Sequence, residues 1–356
     1  MGWEIVDRFL FAPLAPILGV ILFWSIQLLL IESMKHLLRK IWSKHQSLCR
    51  FTNLVGLFFQ AFSHAIGYTI TKCGVSHFYI SVDESKVEPK RQAKGAVEWI
   101  TKVFLFIGPF FVPALLIFIL LLLGCNAAFK VPAGSFYTFS DGLIVFGNSL
   151  SYFSQKFIEL LANLDFLNPF HVFFLLFLIF IGLGIRPLYI GREEKRKINI
   201  IYDLQNIKNL LSERPVYIIS VFAFFYILYY ICLFFNLNWY INLMLFFGWL
   251  SIISIVAIII AHLIILLVKS TDQICPFWNL LPYVTLFISY GLSRLVFYSL
   301  SFQYSISIVI MLISTFIITL FLKRVKTNKL KTKASIKKLK DLEVEEIGNR
   351  RGSSKR

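Results

Sequence analysis

Long uncharged runs, separated by short charged stretches, dominate the pattern of this chain. The uncharged windows cover residues 9–31, 51–71, 103–129, 166–185, 216–268, 273–293 and 295–322. A helix needs about 20 apolar residues to cross roughly 30 Å of hydrocarbon. The longest window, with 53 residues, must therefore hold two helices, at 216–235 and 241–267, divided by the polar turn at Asn236 and Asn238. The pattern predicts an all-α polytopic membrane protein with seven to eight membrane segments.

Composition supports the same class. Of 356 residues, 58% are apolar and only 15% are charged, whereas about 25% are charged in a soluble domain. Five scattered cysteines without a CxxC spacing predict neither a disulfide framework nor a thiolate metal site. The window at 9–31 is long and lacks a cleavage site, so we expect a retained span. We expect a membrane domain over residues 1–322 and a basic, largely disordered tail over 323–356.

The positive charge predicts an orientation. The net charge is +17, and 13 of the 36 Lys and Arg residues lie in the last 34 positions. Basic residues concentrate on the cytoplasmic side of membrane proteins. The tail is therefore expected in the cytoplasm, where anionic lipids attract basic segments. Membrane spans explain this charge better than nucleic acid, which we do not expect as a partner.

The charge count also separates two topologies. If all eight segments cross, 28 Lys and Arg lie inside and 8 outside, with the basic loop 32–50 facing outward. If residues 51–71 enter the membrane and return, the numbers become 32 and 4. The second count is cleaner and singles out this segment, because non-crossing segments need protein or a water-filled cavity around their backbone.

The segment 51–71 is also the most polar of the windows. Its polar and small residues are Asn53, Gly56, Gln60, Ser63, His64 and Gly67. Intramembrane polar groups often mark a functional surface. They serve equally as interhelical hydrogen-bond partners, with glycines permitting close helix approach. Both interpretations stay open at this point.

Three regions outside the spans have patterns of their own. Residues 74–82 are β-branched and aromatic after a glycine, which predicts a short strand, followed by an exposed connector at 83–102. Residues 146–164 predict an amphipathic helix that either packs on the bundle or lies on the outer surface. Residues 186–214 predict a basic amphipathic helix that binds either anionic lipid or a partner protein.

One motif could carry chemistry, at His64-Ala65-Ile66-Gly67-Tyr68. In an HExxH zinc site, two histidines four residues apart hold the metal, and the glutamate between them activates water. Here Ala65 occupies the glutamate position and Tyr68 the second histidine position. The motif is therefore degenerate, and it argues against hydrolysis.

Residues 51–215 resemble the site-2 protease family of integral-membrane zinc metalloproteases. The resemblance rests on the order of four features: the motif helix, the Gly74-Val75 strand, the Gly108-Pro109 span and the region of Asp165 and Asn168-Pro169. The last region departs from the family, since its Asp precedes Asn-Pro. A further similarity to the family, at Gly184-Ile185-Arg186-Pro187, is incomplete because no Asp follows. The resemblance implies one retained ligand, His64, and a second candidate, Asp165, with residues 216–322 as an additional bundle.

A non-catalytic relative of these proteases is the function we expect. Such a protein would bind or shield transmembrane segments of partners in a groove lined by Gly56, Gln60, Ser63 and Asp165. No cofactor is then expected. The alternatives are an active intramembrane zinc protease with atypical ligands, which alone would need zinc, and a transporter or channel.

Overall fold

The fold, seen in a computed structural model, is almost entirely helical, which confirms the all-α class. The structure describes residues 2–82, 84–124, 129, 136–185, 205, 207–209, 212 and 214–353, with the backbone alone for most residues after Asn328. Its helices are α1 Gly2–Val6, α2 Leu14–Ile41, α3 Gln46–Ile70, α4 Ala96–Gly124, α5 Phe139–Ala162, α6 Pro169–Gly184, α7 Pro215–Phe234, α8 Trp239–Thr271, α9 Leu281–Val296 and α10 Gln303–Ser353.

Five of these helices are long and apolar enough to cross a membrane. They are Leu14–Ile41, Ala96–Leu123, Pro215–Phe234, Trp239–Thr271 and Gln303–Asn328. The chain is therefore a multi-pass integral membrane protein. The windows at 51–71, 166–185 and 273–293 fall in α3, α6 and α9, which do not reach that standard, so a total of seven to eight segments stays a prediction.

A small antiparallel hairpin follows α3. Strand β1, Val75–Ile80, pairs with β2, Ser85–Pro89, and Phe78 lies opposite Val87. The expected strand is thus confirmed, but the expected connector at 83–102 is wrong, since it contains β2 and the first turns of α4. The sequence did not predict β2, because its residues are charged and show no apolar pattern. Backbone pairing with β1 makes this segment a strand.

Residue contacts divide the chain into two compact units. The first comprises residues 1–161 and 165–265, and the second comprises 162–164 and 266–356. Helix α8 contributes more buried apolar residues to the first unit than any other described helix. Around it the chain packs tightly: a Cβ added at Gly182 of α6 would lie 2.1 Å from the Ala257 carbonyl oxygen of α8.

Helix α2 runs in the same direction as α8. Hydrogen bonds join Pro13 with Tyr240, Gln27 with Ser251, and Ser33 with His262. Residue numbers therefore rise together along both elements.

Helix α4 runs in the opposite direction along α8. Phe118 stacks on Trp249 near one end, whereas the carbonyl of Phe110 accepts from Ser254 further along α8. The end of α2 and the start of α4 consequently lie at the same end of α8. Helix α3 and the hairpin join these two helix ends.

Helix α5 packs on the bundle. A Cβ added at Gly142 would meet Ala15 of α2 at 3.0 Å, and one added at Gly248 of α8 would meet Leu150 at 2.8 Å. Phe153 also lies against Trp249. Of the two roles open for residues 146–164, these contacts favour packing.

Two tyrosines of α7 hydrogen-bond the backbone at the proline-rich start of α2. One π-helical turn, Asp7–Phe11, precedes Pro13, which has no N–H to offer the carbonyl of Phe9 four residues earlier. The Tyr230 hydroxyl donates to that carbonyl, and Tyr226 donates to the carbonyl of Leu10. Side chains of α7 thus take over bonds that the helix backbone lacks.

In the second unit, α9 and α10 form a helical pair. Arg294 hydrogen-bonds Gln303 and lies over the ring of Tyr304. Arg294 is thus engaged inside this pair. The backbone of α10 continues as helix to Ser353, so the expectation of a largely disordered tail is wrong over 323–353. The frequent Lys, Leu and Glu residues there favour helix.

Most of the expected amphipathic helix at 186–214 lies outside the described residues. The same holds for Asp83, for Cys125 and for the Arg186-Pro187 part of the similarity to the family.

Candidate functional site

The degenerate motif lies in the last turns of α3. This helix ends where Lys72 and Gly74 adopt left-handed backbone angles, with φ of 57° and 67°. The N–H groups of Cys73 and Gly74 both bond the carbonyl of Tyr68, at 2.9 and 3.1 Å. Glycine suits this position because it carries no Cβ penalty there. Tyr68 is consequently part of the helix terminus that leads into the hairpin.

His64 serves a neighbouring helix. Its ring lies within hydrogen-bonding reach of the backbone of Leu105 in α4. Pro109 stands four residues after Leu105 and has no N–H, so the Leu105 carbonyl lacks its helical donor. In an apolar setting such an orphaned carbonyl needs another donor. The carbonyl left free by Pro109 therefore gives His64, the only histidine of the motif, a structural role.

The small residues of α3 face the same helix. Ser63 is fully buried, its hydroxyl donating to the Phe59 carbonyl at 2.7 Å. A Cβ added at Gly108 would lie 3.2 Å from the Ser63 Cβ, and one added at Gly67 would lie 3.4 Å from Phe104. Helix α4 fills the space beside these positions. The predicted groove is therefore closed at Ser63.

The remaining predicted groove positions on α3 are also occupied by the fold. Gly56 is buried, Gln60 and Ala65 are half-buried. On the same helix, Asn53 donates to the Val82 carbonyl at 2.9 Å and so fastens the end of β1 to α3. The polar side of this helix is used for packing and for holding the hairpin.

Asp165 belongs to the start of α6. Its carboxylate accepts from the Leu167 N–H at 3.1 Å, and its own N–H donates to the ring of His171 at 2.8 Å. Asn168 caps the helix by accepting from the Phe170 N–H at 2.9 Å, and Pro169 takes the first helical position. This is an ordinary helix start, which explains the Asp and Asn-Pro signals without a metal.

Asp165 and His64 are not brought together. Helix α3 meets α6 near Gly184, where an added Cβ would lie 2.4 Å from Val55 and 2.6 Å from Phe59. At a rise of ~1.5 Å per residue, the opposite end of α6 lies about 20 Å away. The contacts of α3 with α6 therefore do not support the pairing of these two residues as ligands, which stays a prediction.

No group of three or more His, Cys, Asp or Glu residues able to hold a metal occurs within the described part of the chain. A catalytic zinc usually has three protein ligands and a water. What the α3 site can do chemically, with the groups it brings together, is to hydrogen-bond and to pack.

No family model, curated protein or solved structure matches this chain. The likeness to the site-2 proteases therefore rests on the motif residues alone. Two of its elements, Pro109 and Asp165, have structural roles that do not require common ancestry.

A second polar site escaped the sequence analysis. Between α2 and α8, Gln27 and Ser251 are fully buried, and the Gln27 amide donates to the Ser251 carbonyl at 3.3 Å. The Gln27 Oε1 and the Ser251 Oγ have no hydrogen-bond partner among the described atoms. Two signals were present in the sequence. Gln27 is the only amide residue in window 9–31, and Ser251 and Ser254 share one helical face in an apolar run.

Proposed function

We propose that this chain is a multi-pass membrane protein without hydrolytic chemistry, which binds or shields transmembrane segments of partner membrane proteins. The two-sided construction of α3 supports this proposal. Its polar side is consumed by contacts with α4, α6 and the hairpin. Its other side carries phenylalanines that no other part of the described fold covers fully.

These phenylalanines form one ridge. Phe51, Phe58 and Phe62 are 46%, 42% and 37% exposed, and their spacing of seven and four residues places them on one face of the helix. The rings of Phe58 and Phe62 stack in parallel with centroids 6.2 Å apart. Helices associate in membranes largely through close side-chain packing. A rigid aromatic ridge suits that contact, and it replaces the groove expected from the sequence.

We further propose that this ridge lies at membrane depth, on a helix that does not cross the bilayer. Because α2 ends and α4 begins at the same end of α8, we infer that α3 makes no net crossing. The 32 to 4 division of basic residues supports the same arrangement. The tail after α10 then lies in the cytoplasm, and the basic loops face anionic lipid on that side.

Site-specific photo-crosslinking tests the binding surface. A photoreactive residue at Phe58 or Phe62 should yield adducts with another membrane protein. Phe224 on α7 is 58% exposed and provides the matched control, which should yield lipid adducts alone. Lipid adducts alone at all three positions would refute the proposal.

Side-specific labelling tests the topology. Single cysteines at Lys44 and Lys90, both exposed, should react with an impermeant thiol reagent from the same side of sealed vesicles. A cysteine replacing Asp141 provides the reference for the other side. Labelling of positions 44 and 90 from opposite sides would mean that α3 crosses the membrane.

Transport of a small polar solute is the second candidate function. The unpartnered oxygens of Gln27 and Ser251 inside the helix bundle favour it, since buried polar groups often mark a solute path in membrane proteins. Solute flux in liposomes that depends on Gln27 would support transport. Flux that is unchanged by Gln27→Leu would exclude this site as the path.

A further inference from the structure

Gln27 and Ser251 at the α2–α8 contact, and Trp24 one turn earlier on α2, each have a buried atom that is unpartnered among the described residues. Within the described fold, no hydrogen-bond partner is present for Trp24 Nε1, Gln27 Oε1 or Ser251 Oγ. Gln27 and Ser251 are completely buried. In a hydrocarbon environment, leaving such groups without a partner is costly. Their joint presence therefore requires an explanation.

The three side chains follow one another where α2, α4 and α8 meet. Trp24 lies one helical turn before Gln27 on the same side of α2, and the Gln27 amide reaches the backbone of Ser251 at 3.3 Å. The Trp24 ring meets the edge of Phe110, with centroids 5.7 Å apart. The Phe110 carbonyl in turn accepts from Ser254, one turn after Ser251, at 3.4 Å. Helices α2, α4 and α8 thus meet around these groups.

The chemistry of the three atoms defines what can satisfy them. The Trp24 indole N–H only donates, the Gln27 oxygen only accepts, and the Ser251 hydroxyl does either. A metal ion would leave the indole N–H unsatisfied, and an anion would be repelled by the amide oxygen. The guest must be small, neutral and able to donate and accept hydrogen bonds.

We propose that a bound water molecule, hydrogen-bonded by Trp24, Gln27 and Ser251, occupies the α2–α8 contact and forms a hydrated polar site inside the membrane bundle. Buried waters typically make about three hydrogen bonds to groups that otherwise have none. The site does not depend on partner binding at α3. For the transport alternative, this site is the first position to test as part of a solute path.

Trp249 provides a matched comparison within the same chain. Its Nε1 is also buried and without a described partner, but its ring lies among Phe118, Phe129 and Phe153, with centroids 5.2 to 6.2 Å apart. Its apolar surroundings offer a water no second hydrogen bond, and dry cavities are apolar. The indole of Trp249 is therefore expected to be dry.

Nuclear magnetic resonance of the full-length protein, labelled with ¹⁵N at its tryptophan indoles, tests the proposal. Trp24→Phe and Trp249→Phe assign the two signals by their loss. In the native chain, the Trp24 indole proton should show a cross-peak to a long-lived water, and the Trp249 indole proton should show none. Ser251→Ala, which removes one hydroxyl, should weaken or abolish the Trp24 cross-peak.

Two outcomes would overturn the proposal. The absence of a water cross-peak at Trp24 in the native chain would show that the site is dry. A Trp24 cross-peak that keeps its full intensity in Ser251→Ala would show that the water is not held by this hydroxyl. Both measurements use folded protein, and the first requires no substitution at the site.

Discussion

The α3–α4 contact and the α2–α8 contact are both buried and polar, yet they differ in how their polar groups are paired. At the first, Ser63 bonds a carbonyl of its own helix, and the His64 ring lies within reach of the backbone of Leu105. At the second, the Gln27 and Ser251 side-chain oxygens remain without a partner within the described fold. Paired groups stabilise the bundle, whereas unpaired groups indicate a place for a guest molecule. The polar groups of the motif region are thus engaged within the fold, which leaves the aromatic side of α3 for the proposed partner, whereas the α2–α8 contact is the proposed place for a small guest molecule.

Proline extends this comparison to the start of α2. Pro13 deprives the carbonyl of Phe9 of its helical donor, as Pro109 does for Leu105. Tyr230 donates to the first carbonyl, and the His64 ring lies within hydrogen-bonding reach of the second. At both prolines, a side chain from a neighbouring helix thus stands at the carbonyl that lacks its helical donor. His64 has a role here that needs no metal.

The largest expected effect comes from Gly108→Val at the α3–α4 contact. The branched side chain would meet Ser63, since even a Cβ would lie 3.2 Å from the Ser63 Cβ. Overpacking of this kind lowers the free energy of unfolding by about 1–3 kcal/mol. Unfolding in detergent micelles measures it. Gly147→Ala is the control, because no atom lies within 4 Å of a Cβ added there, and it should not destabilise the protein.

His64→Ala should destabilise the protein by about 1–3 kcal/mol, because it leaves the Leu105 carbonyl without a donor. In a Pro109→Ala background the restored N–H at position 109 can bond that carbonyl. The cost of His64→Ala should then fall by about 1 kcal/mol or more in a double-mutant cycle. Equal costs in both backgrounds would contradict the proline explanation.

Tyr230→Phe should destabilise by about 1 kcal/mol, the usual value of one hydrogen bond. Tyr226→Phe should cost less, because Leu14, four residues after Leu10, keeps an N–H that is able to bond this carbonyl, whereas Pro13 has none for Phe9. Thermal unfolding of the two variants side by side measures the difference. The reverse order would argue against the role given to Pro13.

Gln27→Leu should change the free energy of unfolding by less than about 1 kcal/mol, because loss of the 3.3 Å amide bond to Ser251 is offset by removal of a buried oxygen that has no described protein partner. This result would set the α2–α8 contact apart from His64→Ala. A loss as large as that of His64→Ala would show that Gln27 is a structural partner, and the contrast between the two contacts would fail.

Metal removal should have the smallest effect. With no ligand set of three or more residues in the part of the chain that the structure describes, purified protein should carry no stoichiometric zinc by elemental analysis. Chelator treatment should leave its unfolding temperature unchanged. About one zinc per chain, lost in His64→Ala, would restore the protease alternative.

Part of the candidate site could be predicted because its signals are local. The charge count around residues 51–71 singled out α3, and the residues after Gly74 predicted strand β1. The partner strand β2 could not be predicted in the same way, since its Lys and Glu residues carry no apolar alternation. Asp165 and Asn168-Pro169 resemble ligand signals, but a helix start uses the same residue types, so the sequence alone does not separate the two.

The sequence by itself determined that this chain lies in a membrane, since the cost of placing charge in hydrocarbon is a property of each segment alone. It also determined that residues 51–71 differ from the other segments. Only the tertiary structure decided what their polar groups do. The partner of His64 is a carbonyl freed by a proline on another helix, and Gln27 meets Ser251 across 224 residues. Such pairings depend on which helices pack together, and no local pattern encodes them.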